Sequence, residues 1–200
     1  METKERILRA ALAHFAQDGF EAASMSAIAT EVGITKGALY RHYRNKRAIL
    51  EAITRRMEQK DSEFADQDTV PKSALSEDPS AYEKTKIEAL QAFSRRMFRY
   101  WTADDFAASF RRLLTLEQYR SAEMQRLYQQ YLATGPMNYV ADILSSWGDV
   151  KAKVHAASFC GALFLLYSAY DAACDDQTKR AVTALADQCI VGLINQGASS

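Results

Sequence analysis

Apolar side chains recur at three- and four-residue intervals along nearly all of this 200-residue chain, and no stretch alternates apolar with polar as a strand requires. A chain so patterned buries its apolar surface by packing helix on helix, so the expected fold class is all-α. Pro and Gly number only 3 and 8, and they read as punctuation between helices. No internal repeat is visible, and the length allows one domain or two small ones.

The first quarter predicts short, tightly spaced helices. Residues 3–18 set Ile7, Leu8, Ala11, Leu12 and Phe15 on one face, and Asp18-Gly19 stops the run. Ser24 is placed to cap a second helix with Met25, Ile28, Ala29 and Val32 inward, ending near Gly33. Thr35 is placed to cap a third that carries Leu39, Tyr40 and Tyr43. Asn45 is placed to cap a fourth with Ile49, Leu50, Ile53 and Met57 inward, reaching Phe64. Residues 66–80 gather Pro71, Pro79 and three serines and read as a loop.

Beyond that loop the helices lengthen. Residues 82–101 align Ile87, Leu90, Phe93, Met97 and Trp101 on one stripe, and Thr102 with Asp105 predicts a capping box for a helix bearing Phe106, Phe110, Leu113 and Leu114. A helix over 116–133 is broken by Gly135-Pro136, one over 137–147 is closed by Gly148, and two more cover 150–173 and 178–196.

Lys plus Arg and Asp plus Glu balance at 25 each but are unevenly spread. Residues 1–56 hold 10 basic against 6 acidic side chains, and the remaining 144 hold 15 against 19. A basic head on an acidic body fits a phosphate-binding module joined to something else. Cys160, Cys174 and Cys189 form no CxxC pair and have no His at ligand spacing, so they read as buried free thiols with no metal site. The N-terminal residues enter a charged amphipathic pattern with no signal-peptide apolar region, which points to the cytoplasm. Val154 to Tyr170 carries no charge, yet its 17 residues, diluted by His155, Ser158, Gly161, Tyr167 and Ser168, fall short of the ~20 that cross a bilayer. No membrane partner is expected. That segment reads as a helix covered on both sides.

The most informative stretch is Gly19 to Leu50, GFEAASMSAIATEVGITKGALYRHYRNKRAIL. It reads as a helix, the tight turn Val32-Gly33-Ile34, and a second short helix, with Gly33 where crossing helices need positive φ. Gly37 and Ala38 are small enough to let the second helix approach a groove wall, while Tyr40, Arg41 and His42 project polar tips. Lys46 and Arg47 stand where a helix start already favours a phosphate.

This stretch resembles the DNA-binding domain of the TetR/AcrR family of transcriptional regulators. The matching positions are Gly19, Phe20, Ser24, Met25, Ile28, Ala29, Gly33, Ile34, Thr35, Gly37, Leu39, Tyr40, His42, Tyr43, Asn45, Lys46 and Leu50. Ala23 stands where a hydroxyl residue is common, which weakens one phosphate contact the resemblance would allow, and Tyr43 stands where Phe is common, a nearly neutral change. The resemblance is close over residues 3–55 and rests on length and helix order thereafter.

The resemblance implies three functional segments: a helix-turn-helix head over 1–46, a connecting helix over 47–66, and a ligand-binding and dimerisation domain over 67–200. Ser24 and Ser26 would touch phosphate. Thr35, Lys36, Gly37 and Ala38 would face the major groove, Tyr40 and His42 its phosphate walls, and Lys46 another phosphate. Lys36 is the one side chain among these able to donate to guanine O6 and N7. The partners implied are a palindromic double-stranded DNA operator, a second copy of the chain, and a small-molecule effector that releases a repressor. A pocket would draw on Phe93, Met97, Tyr100, Trp101, Phe110, Tyr128, Tyr131, Phe164 and Tyr167. The same aromatics serve equally well as core.

The last two helices have their own pattern. One is apolar all round, and the other carries a single stripe of Val182, Leu185, Ala186, Cys189, Ile190 and Leu193. That fits a two-plus-two bundle across a twofold axis, with Ala157, Gly161 and Ser168 permitting close approach. The competing reading is a DNA-bound adaptor whose C-terminal domain recruits a protein and holds no ligand. An enzyme is not expected, nor a cofactor, because His14, His42 and His155 are scattered without a nucleophile or metal spacing.

Overall fold

Side-chain oxygens meet free backbone N–H groups where the sequence places its caps, and the computed structural model, describing residues 2–198, is all-α. Helix α1 spans Thr3–Asp18, α2 Met25–Val32, α3 Lys36–His42 and α4 Lys46–Asp68. The Ser24 hydroxyl accepts from Ala27 N–H at 3.0 Å, Thr35 from Ala38 N–H at 3.1 Å, and the Asn45 carboxamide from Ala48 N–H at 2.8 Å. Each such cap is worth about 1 kcal/mol, enough to decide where a helix of two turns begins. Seven more helices follow: α5 Pro79–Lys84, α6 Ile87–Ala103, α7 Asp105–Glu117, α8 Ala122–Leu132, α9 Thr134–Ser146, α10 Ala152–Ala172 and α11 Asp176–Ala198.

Packing divides the chain into two compact units. One takes the N-terminal residues through Asp61 together with Asp105–Tyr128. The other takes Ser62–Asp104 and Gln129 onward. This division by packing differs from the sequence division at 46 and 66, because α7 and most of α8 join the N-terminal helices.

In the first unit α1 packs on α2 and on α7, and α2 on α3. The inward faces expected of α1, α2 and α4 are buried residue for residue, and α7 adds Phe106, Phe110, Leu113 and Leu114. Each such large side chain contributes roughly 1.5–3 kcal/mol when buried, several times an exposed ion pair. Polar links reinforce the attachment. Glu5 binds Arg9 at 2.7 Å and also Arg56, whose guanidinium lies 3.8 Å from the centroid of the Phe106 ring. Arg47 at the start of α4 meets Glu123 of α8 at 2.9 Å. Gly19 has φ +88°, and a Cβ there would come within 2.9 Å of the buried Glu117 carboxylate and 2.7 Å of its partner Arg120.

The second unit is built around α10, which packs on α6, α9 and α11. Its core joins Leu90 and Phe98 of α6, Val140, Ile143 and Leu144 of α9, Ala156, Phe159 and Leu163 of α10, and Ala186, Ile190 and Ile194 of α11. Buried Tyr82 and partly buried Tyr139 pin the segment between α4 and α6. Tyr82 donates to Ser73 O and Tyr139 to Pro71 O, both at 3.0 Å, and Trp147 Nε1 donates to Thr85 O at 2.8 Å.

Several sequence expectations need correction. Thr102 does not cap α7. It is buried inside α6 and its hydroxyl donates to Phe98 O at 2.7 Å. The buried stripe of α6 runs through Leu90, Ser94, Phe98 and Trp101, leaving Phe93 and Met97 only partly buried on its flank. The predicted helix over 82–101 is two helices, separated after Lys84. The predicted start of α8 at 116 moves to Ala122, where Ser121 caps Met124 N–H at 3.2 Å. Cys174 is exposed beyond the end of α10, and Cys160 and Cys189 are only partly buried. Burial pushes the Cys160 thiol up to about 11.

Helix α10 is not covered on both sides within one chain. Ala152, Ala156, Phe159, Leu163 and Leu166 form its buried stripe, whereas Val154 and Leu165 are 62 and 69% exposed. With 21 residues it is long and apolar enough to cross a membrane by length and composition alone.

Candidate nucleic-acid interface

The turn between α2 and α3 is fixed from both ends. Gly33 closes α2 in the left-handed region at φ 72°, ψ 34°, and its N–H donates to Thr30 O at 3.0 Å. A Cβ at Gly33 would find open space, so the requirement here is the positive φ alone. Arg6 of α1 reaches across to donate to Val32 O, tying α1 to the same turn.

On α3 only Leu39 is fully buried, and it anchors the helix to the head. Thr35, Lys36, Gly37, Tyr40 and His42 are all exposed, with Ala38 half-buried among them. The Lys36 ammonium lies 6.0 Å from the centroid of the Tyr40 ring, one turn on, at the outer reach of a cation–π contact. Ser24 and Ser26 are exposed at the start of α2. Ser24 and Thr35 each spend an oxygen lone pair on their cap and retain an O–H for a further acceptor. Partial burial raises the Tyr43 phenol above its usual pKa, in keeping with its inward position.

Two features of the site were not readable in the motif. Lys46 donates to Phe20 O at 2.8 Å and to Glu21 O at 2.7 Å, with its ammonium 5.2 Å from the centroid of the Phe20 ring. An ammonium has three N–H donors, so Lys46 latches the turn after α1 to the start of α4 and keeps one for a phosphate. Ala23, where a hydroxyl is common, is 4% exposed, so its methyl packs inward in this chain.

The nine aromatic and Met positions suggested for a pocket divide between the units. Phe110, fully buried, and Tyr128 fall in the first, and the other seven in the second. Trp101 packs edge-on to Tyr131 at 6.3 Å and next to Tyr100 at 6.1 Å, and Phe98 stacks on Tyr167 at 5.2 Å. Phe93 meets Tyr139, and Phe164 is 37% exposed on α10.

A sequence profile for bacterial regulatory proteins of the tetR family matches residues 7–53, which contain α2, the Gly33 turn and α3. The head is a TetR-family DNA-binding domain. The uncharacterized HTH-type transcriptional regulator YerO of Bacillus subtilis is 47% identical over 49 residues, 24% of this chain and 17% of YerO. The HTH-type transcriptional regulator UidR of Escherichia coli is 45% identical over 51 residues, 26% of each chain. These curated relatives are therefore matched over about a quarter of their length or less. Solved structures extend the likeness of fold to the whole chain. The fatty acid degradation regulator FadR of Bacillus halodurans superposes with a TM-score of 0.63 at 20% identity, covering 97% of this chain and 95% of that one. A SmeT–triclosan complex gives 0.66 at 19%, covering 96% and 91%. FadR of Bacillus subtilis in complex with stearoyl-CoA gives 0.61 at 18%, covering 95% and 97%. The TetR-type head is thus joined to a helical body of the same general fold as theirs.

Proposed function

We propose that the chain is a cytoplasmic transcriptional repressor that grips a palindromic operator as a homodimer and lets go when a small molecule binds its C-terminal part. The observation that carries this reading is the exposure of Thr35, Lys36, Gly37, Tyr40 and His42 on a short helix that Leu39 anchors and Thr35 caps. Lys36 would donate to a guanine edge, Thr35, Gly37 and Ala38 would line the groove, and Ser24, Ser26, Tyr40, His42 and Lys46 would bind phosphates. With so few base-reading donors, backbone contacts and DNA shape supply the remaining selectivity.

Dimerisation is supported by the outward face of α10. Val154, Ala157, Ser158, Gly161, Leu165 and Ser168 lie roughly opposite the buried stripe and are exposed in the single chain. Leu185 of α11 is likewise 47% exposed. Small residues between large apolar ones let a second copy of the helix pair approach closely.

Effector control is supported by the aromatic-rich second unit and by solved proteins of like fold captured with triclosan and stearoyl-CoA. The mechanism proposed is a population shift carried by α4, which runs unbroken from Lys46 to Asp68. Its head end is held by Arg47–Glu123 and its far end by a two-pronged Arg96–Asp68 pair at 2.7 and 3.0 Å. Ligand among the proposed pocket residues of the second unit would shift the far end and spoil the spacing of the two recognition helices.

Coupling of this kind is reciprocal and is tested by titrating an apolar effector with and without operator. The expected result is an equal loss of affinity in both directions, by a factor of about 5–150. Ligand affinity unchanged by operator would remove effector control, and a chain that binds operator but no apolar molecule would be an adaptor.

A further inference from the structure

Helix α6 carries three arginines on its outward side, and they do not balance the carboxylates that meet them. Arg95, Arg96 and Arg99, with Ala92 one turn before, line an open groove of about 350 Å³. Arg96 is engaged by Asp68 through Nε and Nη2 at 2.7 and 3.0 Å. Arg99 donates to Asp187 of α11 at 3.1 Å. Arg95 has only the same Asp187, at 3.7 Å, beyond hydrogen-bond reach. Two carboxylates thus serve three guanidinium groups, and among the described residues Arg95 makes no hydrogen bond while its side chain is two-thirds covered. A guanidinium held in a groove with five N–H donors unused is a site prepared for an acceptor.

We propose that this groove binds a phosphate group, free or at the end of a small ligand, with Arg95 as its principal donor and Arg96 and Arg99 flanking it. Arg95 and Arg99 stand about 6 Å apart along the helix, a spacing a tetrahedral oxyanion with several acceptor oxygens bridges more readily than a two-oxygen carboxylate does. The volume falls within the roughly 300–1,000 Å³ typical of small-ligand sites, so the anion can carry a substituent. Leu185 and Asp187 are two residues apart on α11, about 200° around the helix, so the groove lies away from the apolar face proposed for the dimer. Glu88, one turn before Ala92, is exposed and is not among the lining residues.

Calorimetric titration of the full-length protein tests this, with inorganic phosphate, pyrophosphate, AMP and acetate at matched ionic strength. Phosphate and pyrophosphate are expected to bind in about the millimolar range, ahead of acetate. AMP binding tighter than phosphate assigns the group to a larger ligand, and the reverse assigns it to the free ion. Arg95→Gln removes no hydrogen bond of the fold and is expected to weaken phosphate about tenfold at unchanged Tm. Asp187→Asn removes the carboxylate that competes for Arg95 and Arg99 and is expected to tighten phosphate about threefold or more. Phosphate held no better than acetate, or equally by wild type and Arg95→Gln, would overturn the proposal. So would weakening by Asp187→Asn with the fold intact.

Discussion

A glutamate in place of Leu165 is expected to turn the protein into a monomer and to cost most of its affinity for an inverted-repeat operator. Leu165 is 69% exposed in the single chain and sits on α10 away from its buried stripe, so it is free to serve an interface without contributing to the core. Burying an unpaired carboxylate between two apolar helices costs several kcal/mol, which raises the dimer dissociation constant by about a thousandfold. A monomer presents one head at a time and forfeits the local concentration of the second, a loss of about 10²–10⁴ in apparent affinity. Sedimentation and operator titration read the two effects, and the far-ultraviolet circular dichroism should stay helical. A variant that remains dimeric would place the interface elsewhere.

Neutralising Asp61 is expected to stabilise the protein strongly at alkaline pH. Asp61 lies on α4 with Oδ1 buried and without a hydrogen-bond partner. Burial, helped by the nearby Glu58 charge, raises its carboxyl from 3.8 to about 7. A raised folded-state value means the folded protein holds this proton where the unfolded chain has released it. Stability from this group is therefore full below about pH 4, falls as pH rises towards 7, and levels off above. Three units correspond to about 4 kcal/mol as an upper bound, and partial exposure of the residue brings the expected gain for Asp61→Asn nearer 2 kcal/mol at pH 8. At pH 4 the variant should match the wild type. Urea unfolding at both pH values measures this, and a gain of equal size at both would show that charge is not the cause.

What could be read in the sequence follows the range of the interactions involved. Caps and turns are local, so Ser24, Thr35, Asn45 and Gly33 stand where their own chemistry puts them. The inward faces of α1, α2 and α4 were legible for the same reason, since each needs only a 3.6-residue period. On α6 that period admits two neighbouring stripes, and Phe98 rather than Phe93 is buried because Tyr167 of α10 stacks on it. Thr102 resembles a cap in sequence, but the i−4 carbonyl of Phe98 is closer to hand than the amides of α7. The second task of Lys46 depends on carbonyls 25 and 26 residues away, and the arginine imbalance on α6 depends on Asp68 and Asp187. Such partners are set by packing, and no spacing rule reaches them.

The central claim is that α3 reads DNA, and the most direct measurement is a fluorescence-anisotropy titration of an inverted-repeat operator and a scrambled duplex at several salt concentrations. The account predicts one dimer per inverted repeat and a preference over the scrambled duplex. The log–log salt slope should be about −4 or steeper, since Lys and Arg on two heads displace counterions. Lys36→Ala should weaken operator binding by about 1–3 kcal/mol and relax preference at one base position, leaving scrambled-duplex binding nearly as before. Equal affinity for the two duplexes in the wild type, or no change in preference on removing Lys36, would contradict recognition through this helix.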